Sequence, residues 1–379
     1  MRFSKAFLVL SISGLFAILS STMSKSPTLP LFAQQLGVSK SELGFIAAAS
    51  TITGIIVNVT AGTLSDIYGR RKLLIASGFF FASAPFLYLL VTDAWQLAII
   101  RAFHGIATAT FTPVAIASIA DMYESRRGEM MGIFSSATMI GRLLAPITAG
   151  AVISFYGFYE TYILCGLAGL TALIALFNLP KIEAKKKEVE ALCKASSVLF
   201  NINVITASSI MAVTYFAMQS IETFLPLHME KLNIEAWLMG TTFTIQLLTI
   251  TILKPYAGRL SDNIGRLKTI SIGFIIASVG ILGVAFSSNV ILIILSMILF
   301  AIGVAFTTAS TPPLISEIVG EEARGAAIGA METIKDIGQA SGPIFTGIIL
   351  TYATYEYVLT LIAIVLIAIL PIIYMKLKT

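Results

Sequence analysis

Long apolar runs alternate with short polar breaks along the whole chain. The runs fall roughly at 6–26, 42–61, 73–91, 95–118, 128–152, 157–178, 199–225, 236–256, 269–287, 290–312, 325–350 and 355–375. Each is close to the ~20 residues that cross a bilayer as a helix. Within lipid a segment must satisfy its own backbone hydrogen bonds, which favours helix. Barrel strands would appear as weaker, alternating stretches of about ten residues. The expected fold class is therefore an all-α membrane protein with twelve transmembrane helices. The first run follows Met1-Arg-Phe-Ser-Lys5 in the manner of a signal peptide. No convincing small-residue cleavage site follows it, so it is expected to be the first span.

The polar breaks repeat. Gly62-Thr-Leu-Ser-Asp-Ile-Tyr-Gly-Arg-Arg-Lys72 returns as Gly258-Arg-Leu-Ser-Asp-Asn-Ile-Gly-Arg-Leu-Lys268, and both read G-x-L-S-D-x-x-G-R-x-K. Arg127-Gly-Glu-Met-Met-Gly132 matches Arg324-Gly-Ala-Ala-Ile-Gly329, and Gly141, Pro146 and Gly150 return as Gly338, Pro343 and Gly347. The chain is thus two related halves of six spans, a parallel repeat about an axis along the membrane normal. One break is unlike the rest: the Lys/Glu-rich run from Pro180 to about Ser197. It is expected to be a solvated linker, giving a bundle at 1–179, a linker at 180–197 and a bundle at 198–379.

Composition agrees with a bilayer. Of 379 residues, 57% are hydrophobic and 12% charged, and mean hydropathy is +0.91. Ordinary soluble domains are about 25% charged. The net charge of +5 is dispersed among apolar runs, which argues against nucleic acid as a partner. Cys165 and Cys193 make neither a metal spacing nor a disulfide framework. No nucleotide-binding loop, metal cluster or nucleophile triad is present in the sequence, so no enzyme, metal or cofactor is expected. Lysine and arginine crowd one set of breaks, while the other set holds only Lys40 and Lys231. By the positive-inside rule both termini and both copies of the repeated motif face the cytoplasm, in a cytoplasmic (inner) membrane.

Twelve spans, a lysine-rich central loop and a doubled signature motif resemble the major facilitator superfamily over essentially the whole chain. The resemblance implies two six-helix bundles around a central cavity, working by alternating access. It also implies that the motif latches the cytoplasmic side, through Gly62, Asp66, Gly69, Arg70 and Arg71, and through Gly258, Asp262, Gly265 and Arg266. The residue types fit such a role: the glycines allow close approach and a tight turn, and each acid can pair with a neighbouring arginine, Arg259 included. Only the first copy has the full Arg-Arg-Lys run. Arg101-Ala-Phe-His-Gly105 resembles the R-x-x-x-G motif of proton-coupled efflux members. Gly141-Arg-Leu-Leu-Ala-Pro146-Ile-Thr-Ala-Gly150 resembles their helix-bending antiporter motif, with Ala145 and Ala149 where glycines are usual. Its second-half copy runs from Gly338 through Pro343 to Gly347.

Ionisable residues within spans are costly and functional by default. The basic ones are Lys25, Arg101, Arg142, Lys254 and Lys335; the acidic ones are Glu222, Glu332 and Asp336. Lys254 can snorkel to the interface. Arg101, His104 and Thr108 share a helix face, expected to line a cavity. His104 reads as the one histidine within the bilayer, able to titrate near neutral pH. Lys25 and Glu222 are repeat-equivalent, with opposite charge, and suit an external gate. Glu332 and Asp336 share a face, and Asp336 lies about 18 Å beyond Arg324 along a helix, near mid-bilayer. Either Arg142 or the adjacent Lys335 can compensate it. Asp336 and Glu222 lead as proton carriers, with His104 and Glu332 behind them.

The expected function is secondary transport, with proton-driven export of small, partly apolar compounds of the multidrug kind. Phe103, Phe111, Met139, Phe216 and Met218 supply an adaptable cavity wall, unless they only pack helices. A transporter of a specific organic anion and a ligand sensor on a transporter scaffold are the alternatives. The expected partners are a small-molecule substrate and the lipid bilayer. The proton gradient is the expected energy source and a monomer the expected state.

Overall fold

A computed structural model describes residues 3–123, 125–182 and 201–377. These residues hold helices and no strand. The helices are α1 (Lys5–Met23), α2 (Thr28–Gln35), α3 (Lys40–Tyr68), α4 (Arg70–Leu87), α5 (Ala94–Met122), α6 (Arg127–Phe155), α7 (Phe158–Phe177), α8 (Ile202–Lys231), α9 (Ala236–Ile264), α10 (Arg266–Phe286), α11 (Val290–Ile349) and α12 (Tyr355–Leu377). Most of the 180–197 linker lies outside the described residues.

Local chemistry sets the starts. Ser39 and Glu42 form a capping box at α3, and Ser4, Asp93, Asn201 and Asn289 cap α1, α5, α8 and α11 through their side chains. Three findings depart from the run pattern. The first span does not stop near residue 26: after a short break it continues as α2. Gly320 (φ 69°, ψ 179°) divides α11 into two arms. Among the described residues eleven helical segments are long and apolar enough to cross a membrane. The second arm of α11, expected as the run 325–350, is not one of them. It carries Glu332, Lys335 and Asp336, and their polarity offsets its apolar length.

The chain divides into two compact units, Met1–Lys187 with Glu235–Thr241, and Glu188–Ile234 with Thr242–Thr379. In the first, α3 packs on α5, α4 on α5 and α7, and α1 on α6 and α7. A core of Phe7, Leu10, Leu74, Phe81, Phe111 and Phe134 fills the space between them. In the second, α11 packs on α8 and α10, and α12 on α8 and α10. Glycines permit the closest approaches. A Cβ on Gly105 would stand 2.6 Å from the Ser50 carbonyl oxygen, and one on Gly338 would stand 2.6 Å from the Ala212 Cα. Small residues at such points let backbones meet, the general device of helix association in lipid.

Candidate functional site

The repeated motif is not a polar loop. α3 continues through Gly62, Ser65 and Asp66 to Tyr68, and α4 begins at Arg70. The hinge is one residue, Gly69, at φ 94° and ψ 138°. Gly265 does the same between α9 and α10 at φ 99° and ψ 149°. A side chain is strained there, which is why glycine ends both helices. Gly62 and Gly258 are not close-approach points: among the described residues nothing lies within 4 Å of where their Cβ would stand.

Arg70 is 3% exposed and holds the hinge together. It contacts Asp66 at 2.7 Å, and it donates from Nε to Asp121 at 3.2 Å and from Nη1 to Ser65 Oγ. The second half repeats the arrangement: Arg266 contacts Asp262 at 2.5 Å, Glu317 at 3.0 Å and Ser261 at 3.2 Å. Asp121 and Glu317 were not legible from the motif. Their one signal is that each follows its arginine at the same distance in the sequence. The two clusters differ in solvation: Asp121 is 8% exposed, Glu317 56%. Arg71 donates to the carbonyl of Phe177 at the end of α7, where the helix leaves its last carbonyls unpaired. Its counterpart in the second half is Leu267. Arg259 lies over the Tyr256 ring, 6.0 Å from its centroid, rather than joining the cluster.

Arg101 and Gly105, one turn apart on α5, both engage Ser50. Arg101 donates to its hydroxyl at 2.8 Å, and Gly105 admits its backbone. Arg101 and His104 are buried inside the first unit, so in this structure they do not face an open cavity. His104 Nδ1 lies 3.5 Å from Ser24 Oγ, and Thr108 Oγ1 lies 3.3 Å from Ser21 Oγ. The Arg101 Nε, the His104 Nε2 and the hydroxyls of Tyr88 and Tyr162 are buried without a hydrogen-bond partner. Tyr88 stacks on Tyr162 at 4.6 Å. His104 is not alone among membrane helices: His228 is buried on α8, 5.1 Å from the Tyr355 ring.

In the second unit Lys335 bonds Glu332 one turn earlier and lies 3.4 Å from Asp336. Its ammonium stands 5.3 Å from the centroid of the Tyr215 ring on α8. Lys254 lies on an exposed stretch of α9. Of the two expected ways to compensate Asp336, the local one through Lys335 is observed. Lys25 and Glu222 are half-buried and Arg142 is exposed on α6.

The expected cavity-wall residues separate. Phe111 is fully buried in the core against Phe81 and Phe134, because its face of α5 points into the first unit. Phe103 pairs with Phe80 at 4.8 Å and Phe216 with Phe345 at 6.5 Å. Met139 and Met218 are half-buried. Gly141 meets the backbone of Leu15, and Gly338 that of Ala212, so the bend motifs seat α6 on α1 and α11 on α8. Pro146, Gly150, Pro343 and Gly347 are buried on the same helices.

Comparison with known proteins agrees with this architecture. A family model for the Major Facilitator Superfamily matches residues 10–245 and 207–379. An uncharacterised MFS-type transporter of Methanocaldococcus jannaschii is 29% identical over 332 residues, covering 85% of each chain. A homologue of the multidrug resistance efflux pump PmrA from Lactococcus lactis is 24% identical over 361 residues, covering 90% of this chain and 88% of its own. A mutant of the nucleoside transporter NupG, in its crystal structure, superposes with a TM-score of 0.82 at 13% identity, covering 98% of this chain and 99% of its own. This chain is an integral membrane protein of the major facilitator superfamily.

Proposed function

We propose that this transporter exports small, partly apolar organic compounds in exchange for protons, with Asp336 and Glu332 carrying the coupling proton. One observation carries the proposal: two carboxylates and a lysine share one ion cluster in an otherwise apolar helical arm. Ionisable groups are kept inside membrane helices for ion or substrate passage. A carboxylate whose compensating cation can leave it alternates readily between charged and neutral forms. The multidrug names of several relatives support the substrate class. In this reading the protein works as a monomer in the cytoplasmic membrane with both termini inside. The proton gradient is its energy source and it needs no cofactor. Glu222 and His104 are secondary proton candidates, and Lys25, Arg101, Arg142 and Lys335 border the substrate route.

The test is flux in liposomes under an imposed pH gradient. Substrate addition should move protons, and Asp336→Asn together with Glu332→Gln should uncouple the two flows. Flux that ignores the gradient, or full coupling in the double variant, would sink the reading. A second reading, transport of an organic anion, is favoured by Arg101. Its buried guanidinium is bonded to the neutral Ser50 hydroxyl and to no carboxylate among the described residues. Stabilisation by organic anions and not by lipophilic cations in a thermal-shift screen would select it. Ligand binding with no flux of any kind would point to a sensor.

A further inference from the structure

We propose that Lys335 is a tethered occupant of its own cation site, which a primary alkylammonium compound enters by displacing it from Glu332 and Asp336. The inference rests on reading this arm as the transport site.

The ammonium of Lys335 already has what a free ammonium would seek. It bonds Glu332, lies 3.4 Å from Asp336 and stands 5.3 Å from the Tyr215 ring centroid. Three N–H donors meet two carboxylates, and an aromatic face attracts the same charge. The acids are more open than the lysine they hold. Lys335 is 16% exposed, against 22% for Asp336 and 49% for Glu332. A ligand can therefore reach carboxylate oxygens while Lys335 is still in place.

Withdrawal of Lys335 leaves its two carboxylates short of one positive charge, and an arriving monovalent cation restores it. The ligand that copies the resident group is a primary ammonium carrying a flat apolar body for the Tyr215 side. A bulky quaternary ammonium keeps the charge but not the three donors.

The test is equilibrium binding to the full chain in lipid nanodiscs without any gradient, using 2-phenylethylammonium. Lys335→Met and Lys335→Gln should each bind it about tenfold more tightly than the native chain, and Lys335→Arg should stay near native. Neutral 2-phenylethanol should not gain, and the N-trimethylated amine should gain less. Two charge-removing variants are included so that one poorly folded protein does not decide the matter. Binding to both that is no tighter than native overturns the proposal. An equal gain for the alcohol also overturns it, because that gain reflects vacated volume. This readout involves no proton movement. A chain that binds as expected but ignores a pH gradient would lose the coupling proposal and keep this one.

Discussion

Asp121→Asn and Glu317→Gln remove the same charge from equivalent places in the two halves, and the structure predicts unequal costs. Asp121 is 8% exposed and meets an Arg70 that is 3% exposed. Unit charges 3.2 Å apart attract by about 5 kcal/mol at an effective dielectric of about 20. Desolvation offsets much of that, leaving the ~1.5–3 kcal/mol of a hydrogen bond to a charged group. The amide still accepts one bond and Asp66 still pairs, so Asp121→Asn should cost about 2 kcal/mol. Glu317 is 56% exposed, and an exposed pair contributes roughly 0.2–1 kcal/mol. For units of this size, about 2–4 °C per kcal/mol gives a Tm loss of about 4–8 °C for Asp121→Asn and about 0.4–4 °C for Glu317→Gln. Differential scanning fluorimetry of the purified protein reads both. Raising NaCl from about 50 mM to about 500 mM should erase the Glu317→Gln difference and leave most of the Asp121→Asn difference. Asp66→Asn with Asp121→Asn leaves the buried guanidinium with neutral acceptors and no counter-charge, so the pair should exceed the sum of its singles by about 1 kcal/mol or more. Equal losses for the two halves, or strict additivity, would refute the argument from burial.

Three further outcomes follow from the hinge, the close approach at Gly105 and the Arg71 bond. Gly69→Ala should cost about 1–3 kcal/mol, because φ 94° strains any side chain, whereas Gly62→Ala should be neutral or stabilising by up to about 1 kcal/mol in a helix interior with open space; paired thermal melts compare them. Gly105→Ala should cost about 1–3 kcal/mol by driving a methyl into the Ser50 backbone, and transport should fall with it if the Arg101–Ser50 bond is stretched. Arg71→Leu, which copies Leu267 of the second half, should lose the bond to Phe177 and about 0.5–1.5 kcal/mol, while Leu267→Arg should gain no matching stability.

Spans were legible because lipid imposes one period and one length, and turn residues punctuate them. The motif was legible as a repeat but not as a shape. Ser65 and Asp66 are turn-forming types, yet α3 carries them to Tyr68, because the Ser65 hydroxyl donates back to the Gly62 carbonyl of the same helix and Asp66 pairs with Arg70. Only the positive φ of Gly69 ends the helix. Asp121 and Glu317 went unread because an acid at the polar end of a span is ordinary, and the arginine that needs it lies on a neighbouring helix. Phe111 was illegible for a different reason: it shares a helix face with Arg101 and His104, which reads as a cavity lining in the sequence but is buried in the first unit.

The repeat also separates two kinds of residue. Where the halves agree, they agree on mechanics: a glycine hinge, an arginine between two acids and a serine, and a glycine that seats one helix on another. Where they disagree, they disagree on deep charge. In the register that matches Asp121 with Glu317, Arg101 and His104 correspond to Met297 and Phe300, both buried. In the register that matches Gly141 with Gly338, Glu332, Lys335 and Asp336 correspond to Ser135, Thr138 and Met139. A buried guanidinium and an intrahelical carboxylate–lysine cluster are expensive in lipid, and the fold does not require them, because the other half forms the same helices without them. In the proposed reading, what repeats serves movement, and what does not repeat serves the choice of cargo and coupling ion. This assignment makes the first-half Arg101 group and the second-half Lys335 group distinct in chemistry. The former lacks an anionic partner among the described residues, while the latter already holds a cation.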